Sequence, residues 1–284
     1  MAKYYIVSES GGDMLKQDIE KYGIEIVPMH VQMEDRTFAD GTFPPTEIFS
    51  CYERTGNLPH TSASSPRDYR QVFDRIKSGN PDAVILHLAY SAVTTASWHN
   101  ALLASDGAEN IIHIDTKQVS GGMRAVVLKI AQFLENNPEA TVEQIKNEAA
   151  KWVDRARFVF FPGDLGYLKA GGRVSNAAYL VASVLKLKPL IEMIDGRLTA
   201  TKKYRGSDER IYPQLVNEYL NKNKLEKDSL FMVYSEGLDS SLKKRLEKEA
   251  ARHGYKEVTW VPTGCVISTH SGPGAFGVGG FVEK

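Results

Sequence analysis

A cluster of hydroxyl side chains at residues 61–66 is the first feature of the sequence that could bind a small ligand. The hydroxyls belong to Thr61, Ser62, Ser64 and Ser65, and a proline and a helical pattern follow. The last of these serines has a structural explanation, because a hydroxyl caps free N–H groups at a helix start and proline suits the first turn. The other hydroxyls lie upstream of the cap, where they could hold a small anion. On these residues alone, a polar loop feeding a helix is the simpler interpretation.

A second hydroxyl cluster, at residues 90–97, follows an apolar run at residues 83–89. The run has the length and composition of a buried strand, and a helical pattern begins near Thr95. Ser91 is therefore predicted to lie at the carboxyl end of a strand, where open α/β sheets bind their ligands. Together the two clusters predict a site for a carboxylate or phosphate group.

Three further polar residues lie beside glycines. Ser10 precedes Gly11-Gly12, where a ligand could approach the backbone, although turn geometry alone often requires such residues. Arg173 and Arg205 also have glycine neighbours. Their guanidinium groups could bind an oxyanion or a partner, or could pair with a carboxylate in a turn. Both interpretations remain open.

His270 is the last candidate. Residues 265–269 are predicted to form a strand, so His270 would lie past that strand in a glycine-rich loop near a cleft. There its imidazole could donate to a carboxylate or phosphoryl oxygen, although a lone histidine is more often a hydrogen-bonded structural residue. None of the histidines has the spacing of a zinc site, so no metal is predicted.

Composition restricts the class of protein. The 284 residues contain 35 Lys plus Arg and 35 Asp plus Glu, so no net charge attracts nucleic acid or an anionic membrane. Cys51 and Cys265 are far apart in sequence, which favours a reducing compartment. The amino terminus lacks the apolar length of a signal peptide, and no apolar run approaches the roughly 18 residues of a spanning helix. These features predict a cytoplasmic globular protein.

The two halves of the sequence differ in the order of their predicted strands and helices. Strand and helix patterns alternate in the first half, which predicts a largely parallel sheet flanked by helices. In the second half, two strand patterns at residues 185–194 and 197–201 flank Asp195-Gly196, a strong hairpin signal. We therefore expect an α/β protein with an N-terminal α/β domain at residues 1–157 and a C-terminal α+β domain at residues 158–284.

Several enzyme signatures are missing from the sequence. There is no GxxxxGK[ST] phosphate loop, no GxGxxG after the first predicted strand and no GxSxG around Ser91. The sequence therefore predicts no nucleotide-binding machinery of its own.

Six segments in order resemble motifs of the DegV family, whose characterised members are bacterial fatty-acid-binding proteins that serve a fatty acid kinase. The resemblance covers nearly the whole chain. The matching segments are residues 7–13 (ITDSSAD-like), 61–66 (TSQPS-like), 90–101 (ISSGLSGTYQNA), 115–117 (DSK), 168–173 (L-x-x-GGR) and 270–274 (H-x-GPG).

The resemblance implies a protein with a two-domain DegV-like fold. Such a protein is expected not to be an enzyme and to need no cofactor. A long-chain fatty acid would lie in an apolar tunnel between the domains, and a separate ATP-dependent kinase would convert its carboxylate to an acyl phosphate for phospholipid metabolism. By the resemblance, Thr61 and Ser91 are expected to bind the carboxylate, with Ser62 and His270 beside the head group. Arg173 and Arg205 are similar to family arginines at the entrance of the tunnel. Both are expected to contact the kinase or the phosphorylated head group, with Ser10 as a further head-group candidate. Transient contact with a membrane remains open.

Three residues depart from the family motifs: Glu9, Ala92 and Ala96 stand where the motifs have aspartate, serine and glycine. These changes could reshape the head-group pocket. Two other functions therefore remain as alternatives. One is a small-molecule phosphotransferase or hydrolase that uses His270 or Ser91 as nucleophile, and the other is a non-catalytic lipid-sensing regulatory module.

Overall fold

The computed structural model describes residues 4–174 and 187–283, and within them three β-sheets organise the chain. Leu185 and Lys186, the first residues of the predicted hairpin, lie outside the described residues. Among the helices that are described, none is both long enough and apolar enough to cross a membrane.

The first half of the chain forms a four-stranded sheet. Its strands are β1 (Tyr4–Glu9), β2 (Glu25–Val27), β6 (Val84–Ala89) and β7 (Ile111–Asp115), which pair in the order β2–β1–β6–β7. All neighbouring strands are parallel, as predicted. The associated helices are α1 (Lys16–Tyr22), α3 (Pro66–Gly79), α4 (Ser97–Ser105), α5 (Ser120–Asn136) and α6 (Val142–Arg155).

Helices cover both faces of this sheet because its side chains alternate between two apolar cores. Ile85 of β6 packs with Tyr69 and Phe73 of α3 on one face. Its neighbour Leu86 packs with Met123 of α5 on the other. Such alternation is expected when both faces of a sheet are buried, and it gives the predicted doubly wound arrangement.

The second half of the chain forms a six-stranded sheet. Its strands are β8 (Ala156–Phe161), β9 (Leu187–Ile194), β10 (Arg197–Arg205), β11 (Phe231–Tyr234), β12 (Thr259–Pro262) and β13 (Phe276–Phe281), in the order β10–β9–β8–β13–β11–β12. All pairs are antiparallel except β11 with β12. Helices α8 (Asp208–Lys222) and α9 (Ser240–Arg252) pack on one face. The other face contacts α5, so this helix lies between the two large sheets.

A small antiparallel sheet completes the described architecture. Its strands are β3 (His30–Met33), β4 (Arg36–Ala39) and β5 (His60–Ser62), in the order β4–β3–β5. Strands β3 and β4 form a hairpin whose turn contains Glu34 and Asp35. Helices α2 (Thr46–Thr55), α7 (Leu165–Gly171) and α10 (Cys265–Ser271) pack near this sheet.

Two local predictions were wrong. Thr61 and Ser62 lie in strand β5 rather than in a loop, because β3 offers them an edge to pair with. Residues 265–269 are helical rather than extended, although their valine and isoleucine favour strands. The carboxylate of Asp40 accepts from the backbone N–H groups of Cys265 (2.9 Å) and Val266 (3.4 Å), and this tertiary contact satisfies the start of the helix.

Candidate functional site

An apolar cavity lies between the two halves of the chain. It encloses about 860 Å³ of empty space, part of which is continuous with solvent. Most of the lining is apolar, with side chains that include Met29, Val119, Phe158, Phe160, Leu168, Leu198, Val233, Val266, Ile267 and Phe276.

Thr61 and His270 form a hydrogen-bonded pair on the wall of the cavity. The distance from Thr61 Oγ1 to His270 Nε2 is 2.7 Å, although 209 positions separate the residues in sequence. Strand β5 holds the threonine, and helix α10 holds the histidine, so the imidazole does not project from a glycine-rich loop as predicted. Two of the residues predicted from the sequence thus lie together in the structure. The secondary structure predicted for both was wrong, because Thr61 lies in a strand and His270 in a helix.

The His270 imidazole is neutral at physiological pH. Burial, together with the positive charge of Arg173, lowers its pKa to about 4. A neutral imidazole carries one N–H donor and one acceptor nitrogen. Nδ1 is buried and has no hydrogen-bond partner among the described residues. If the proton is on Nε2, the imidazole donates to Thr61, and the threonine hydroxyl is free to donate its own proton into the cavity.

The glycine pair before Arg173 brings helix α7 against the imidazole. A Cβ atom at Gly171 would lie 2.2 Å from His270 Nδ1, so only glycine fits there without displacement of the ring. Gly172 ends the helix in the left-handed conformation with φ +62°. The Arg173 guanidinium then lines the cavity, is exposed, and donates to the Gly171 carbonyl at 2.5 Å.

The structure scatters the remaining predicted site residues. Ser62 is exposed and lines the cavity next to Thr61. Ser91 is fully buried at the end of β6, as predicted, but its hydroxyl donates to the Gly196 carbonyl at 2.6 Å, and it is not among the cavity residues. The Ser10 hydroxyl accepts from the Met29 N–H at 3.0 Å. Arg205 is exposed at the end of β10, away from the cavity lining.

Glu9, which departs from the family motif, fixes the segment that carries Ser91. Its buried carboxylate accepts from the Tyr90 N–H (2.9 Å) and from His87 Nε2 (2.8 Å), and it also binds the Tyr69 hydroxyl. Burial alone would raise the pKa of Glu9, but the charge and hydrogen bond of His87, with the other two donors, hold it below its usual value. The Tyr90–Ser91 segment is thus held by a hydrogen bond to a buried carboxylate.

Sequence reasoning missed a second buried carboxylate, at Asp13. Its oxygens accept from the Ser120 hydroxyl (2.5 Å) and from the Gly264 N–H (2.7 Å), and Ser120 lines the cavity. Burial raises the pKa of Asp13 to about 8, although both hydrogen bonds oppose the shift and the nearby charge of Asp40 adds to it. The contact joins the start of α5 to the start of α10. The only sequence signal was the position of Asp13 directly after Gly11-Gly12.

The described residues do not assemble a nucleophile with a base and an orienting acid around Ser91 or His270. The Ser91 hydroxyl donates to a carbonyl, and no carboxylate in residues 4–174 or 187–283 bonds to His270 Nδ1. Over the same residues, no group of three or more His, Cys, Asp or Glu side chains could hold a metal ion. The arrangement instead suits an apolar ligand with an oxyanion at its hydroxyl end.

A protein-family comparison matches residues 3–283 to the family described as "Uncharacterised protein, DegV family". Among individual proteins, a DegV domain-containing protein of Caldanaerobacter subterraneus is 28% identical, with 98% of each chain covered. A protein of Thermotoga maritima named "Fatty acid-binding protein" is also 28% identical, over 98% of this chain and 97% of that protein.

Solved structures share the fold over its whole length. A fatty-acid-binding DegV family protein from Thermus thermophilus aligns with a TM-score of 0.87 at 24% identity, over 99% of this chain and 100% of that one. A stearic-acid-binding protein from Eubacterium ventriosum aligns with a TM-score of 0.82 at 26% identity, over 98% of both chains.

A methyl group at Gly171 should displace His270. In Gly171→Ala the new Cβ overlaps Nδ1, so we expect the imidazole NMR resonances to shift and the bond to Thr61 to lengthen. Gly172→Ala is the control, because no atom lies within 4 Å of its Cβ position. Its left-handed backbone should lower the free energy of unfolding by about 1–2 kcal/mol without moving the imidazole. Unchanged His270 resonances in Gly171→Ala would contradict the assigned contact.

Asp13 should make stability fall as the pH rises. Its pKa is raised in the folded protein, so between about pH 4 and pH 8 the folded state holds a proton that the unfolded state has lost. In Asp13→Asn the side chain cannot ionise, and its amide can still bond to Ser120 and Gly264. We therefore expect the free energy of unfolding of Asp13→Asn, relative to wild type, to increase by up to about 1.4 kcal/mol per pH unit from pH 5 to pH 8, then to level off. Denaturant titrations at each pH measure this difference, and a pH-independent difference would contradict the assignment.

Proposed function

The chain belongs to the DegV family, and we propose that it is a carrier that binds a long-chain fatty acid and presents the carboxylate to a separate fatty acid kinase. The observation that carries the proposal is the apolar cavity with the Thr61–His270 pair on its wall. The named Thermotoga maritima relative and the fatty-acid-binding structures of the family support it.

The apolar wall should dominate the affinity. Burial of an acyl chain is worth roughly 0.8 kcal/mol per methylene, so a long chain gains far more than the roughly 1.5–3 kcal/mol of a hydrogen bond to a charged group. The head-group residues then have a different role, which is to fix the direction in which the fatty acid enters.

Thr61 is the proposed primary carboxylate donor. With the His270 proton on Nε2, the Thr61 hydroxyl accepts from the imidazole and donates to a carboxylate oxygen, so the pair need not separate when the ligand binds. Ser62 is a second donor at the same end of the cavity. Ser91 joins the head group only after its hydroxyl leaves the Gly196 carbonyl.

The proposal of a kinase step is supported by the side chains at the head-group end of the cavity. A site of hydroxyls and a neutral imidazole tolerates both a carboxylate and the bulkier acyl phosphate, and a closed cavity protects the acyl phosphate from water. Arg173 is placed to bind the added phosphate charge, and Arg205 is assigned to the docking of the kinase. The carrier is proposed to act in the cytoplasm, where the kinase finds its ATP, and to turn over no ATP alone.

The proposed domain division supports this role. We assign residues 1–157 to an N-terminal domain and residues 158–284 to a C-terminal domain that completes the tunnel. The division falls inside β8, two residues after the end of α6, and residues on both sides of it line the cavity.

Removal of the Thr61 hydroxyl should weaken fatty acid binding. Thr61→Val keeps the shape of the side chain and loses one hydrogen bond to a charged group, so we expect Kd to rise roughly 10- to 150-fold. Displacement of a fluorescent fatty acid measures the change. The control is Thr37→Val, an exposed threonine of the same small sheet, which should bind like wild type. Wild-type affinity in Thr61→Val would contradict the head-group assignment.

Arg173 should matter for phosphorylation more than for loading. In Arg173→Ala we expect the fatty acid content to match wild type, and acyl-phosphate formation with a purified DegV-dependent fatty acid kinase and ATP to fall at least tenfold. Hydroxylamine trapping of the acyl phosphate provides the assay. Arg197→Ala, an exposed arginine of β10 outside the cavity, is the control. Equal acyl-phosphate formation by wild type and Arg173→Ala would contradict the assignment, and so would ATP turnover by the carrier alone.

A further inference from the structure

The side chain of Tyr90 lines the apolar cavity and carries a hydroxyl that the fold itself does not use. The residue is 8% exposed. Within residues 4–174 and 187–283 its backbone N–H is hydrogen-bonded, but its phenolic hydroxyl has no hydrogen-bond partner. A buried hydroxyl without a partner is unfavourable. A polar group of a ligand in the cavity would therefore gain a bond there that no group of the described chain competes for.

The backbone at the end of β6 directs this side chain into the cavity. The Tyr90 N–H donates to the Glu9 carboxylate at 2.9 Å. The next residue, Ser91, donates its N–H to the Gln118 carbonyl at 3.0 Å and its hydroxyl to the Gly196 carbonyl at 2.6 Å. Neighbouring side chains at the end of a strand point to opposite sides. Because Ser91 is turned towards Gly196, the hydroxyl that reaches the cavity from this segment belongs to Tyr90.

The ring of Tyr90 lies over the backbone of Gly11 and meets Met29 there. A Cβ atom at Gly11 would lie 3.0 Å from the Cε2 atom of Tyr90 and 2.8 Å from the Sδ atom of Met29. Met29 lines the cavity, and the residue after it, His30, is opposite Ser62 in the pairing of β3 with β5. The ring thus packs at the end of the cavity that carries Ser62.

Arg173 relates Tyr90 to His270 in space. Burial and the charge of Asp13 raise the pKa of Tyr90, and the positive charge of Arg173 opposes this shift. The same guanidinium adds to the effect of burial in lowering the pKa of His270. Since the effect of a charge declines with distance, both groups lie near Arg173. Tyr90 and His270 therefore border the same end of the cavity.

From this placement we infer that Tyr90 is a further head-group ligand, whose hydroxyl donates to the carboxylate of the fatty acid beside Thr61. The inference rests on the proposed fatty acid binding and adds a residue to its site. The family motif that residues 90–101 resemble begins with isoleucine, so this donor is a feature of the present chain. A hydrogen bond from a phenol to a charged oxygen is stronger than one between neutral groups.

The test compares delipidated wild type with Tyr90→Phe, which keeps the ring and removes only the hydroxyl. The loss of one hydrogen bond to a charged group should raise the Kd for hexadecanoic acid at least roughly tenfold. Carbon-13 at the carboxyl group of the bound acid provides a second readout, because hydrogen bonds to a carboxylate lower its pKa. Its NMR resonance should titrate about one pH unit higher in Tyr90→Phe than in wild type.

Tyr219→Phe is the matched control. Tyr219 is also a buried tyrosine whose hydroxyl has no partner among the described residues, but it belongs to the core between α8 and the six-stranded sheet, outside the cavity lining. Both measurements should match wild type in this variant. Tyr90→Ile introduces the residue of the motif and should change both values in the same direction as Tyr90→Phe. It decides the question if the phenylalanine variant does not fold or load.

The outcomes separate this inference from the proposed function. If a loaded Tyr90 variant keeps the wild-type Kd or the wild-type carboxyl titration, the inference is overturned while fatty acid binding stands. An equal change in Tyr219→Phe overturns it as well. If wild-type protein takes up no fatty acid at all, the proposed function is overturned and the inference with it.

Discussion

The six-stranded sheet has two apolar faces, and the helices within residues 4–174 and 187–283 cover one of them more fully than the other. Val159 and Phe161 of β8 point into the core under α8. Phe158 and Phe160 point the other way, where α5 covers part of the sheet and the cavity borders the rest. Apolar surface left next to water is unfavourable in proportion to its area. An acyl chain in the cavity would complete this core and would act as an additional apolar layer of the fold.

The polar groups around the cavity follow a different rule, which is that buried charge must be paired or neutralised. Glu9 is buried and ionised because His87 and two further donors surround it. The two hydrogen bonds that Asp13 accepts, from Ser120 and Gly264, do not offset its burial, so its proton is retained to about pH 8. His270 is neutral for the same reason. These groups join segments that are remote in sequence, and they leave hydroxyls and an uncharged imidazole to face the ligand.

The sequence was most informative where local and tertiary preferences agree. The buried run at residues 83–89 is a strand, Ser65 caps α3 by accepting from the Asp68 N–H, and Asp195-Gly196 forms the predicted hairpin turn. Prediction failed where tertiary contacts outweigh propensity. Residues 265–269 contain the β-branched residues Val266, Ile267 and Thr269, but Asp40, distant in sequence, stabilises the start of this segment as a helix.

The candidate site shows the same limit. The hydroxyl clusters drew attention to Thr61 and Ser62, and both line the cavity. Whether a particular hydroxyl faces a ligand depends on its acceptor, and nothing in the local sequence shows that Ser91 donates to Gly196. The phenylalanines of β8 that line the cavity were also missed, because no strand was predicted at residues 156–161.

The most direct test of the account is native mass spectrometry of the wild-type chain purified from a bacterial host, followed by organic extraction and lipid analysis. If the chain is a fatty acid carrier, each chain should hold one long-chain fatty acid that is released only on denaturation or extraction. A folded protein that is purified empty and takes up no added fatty acid would contradict it.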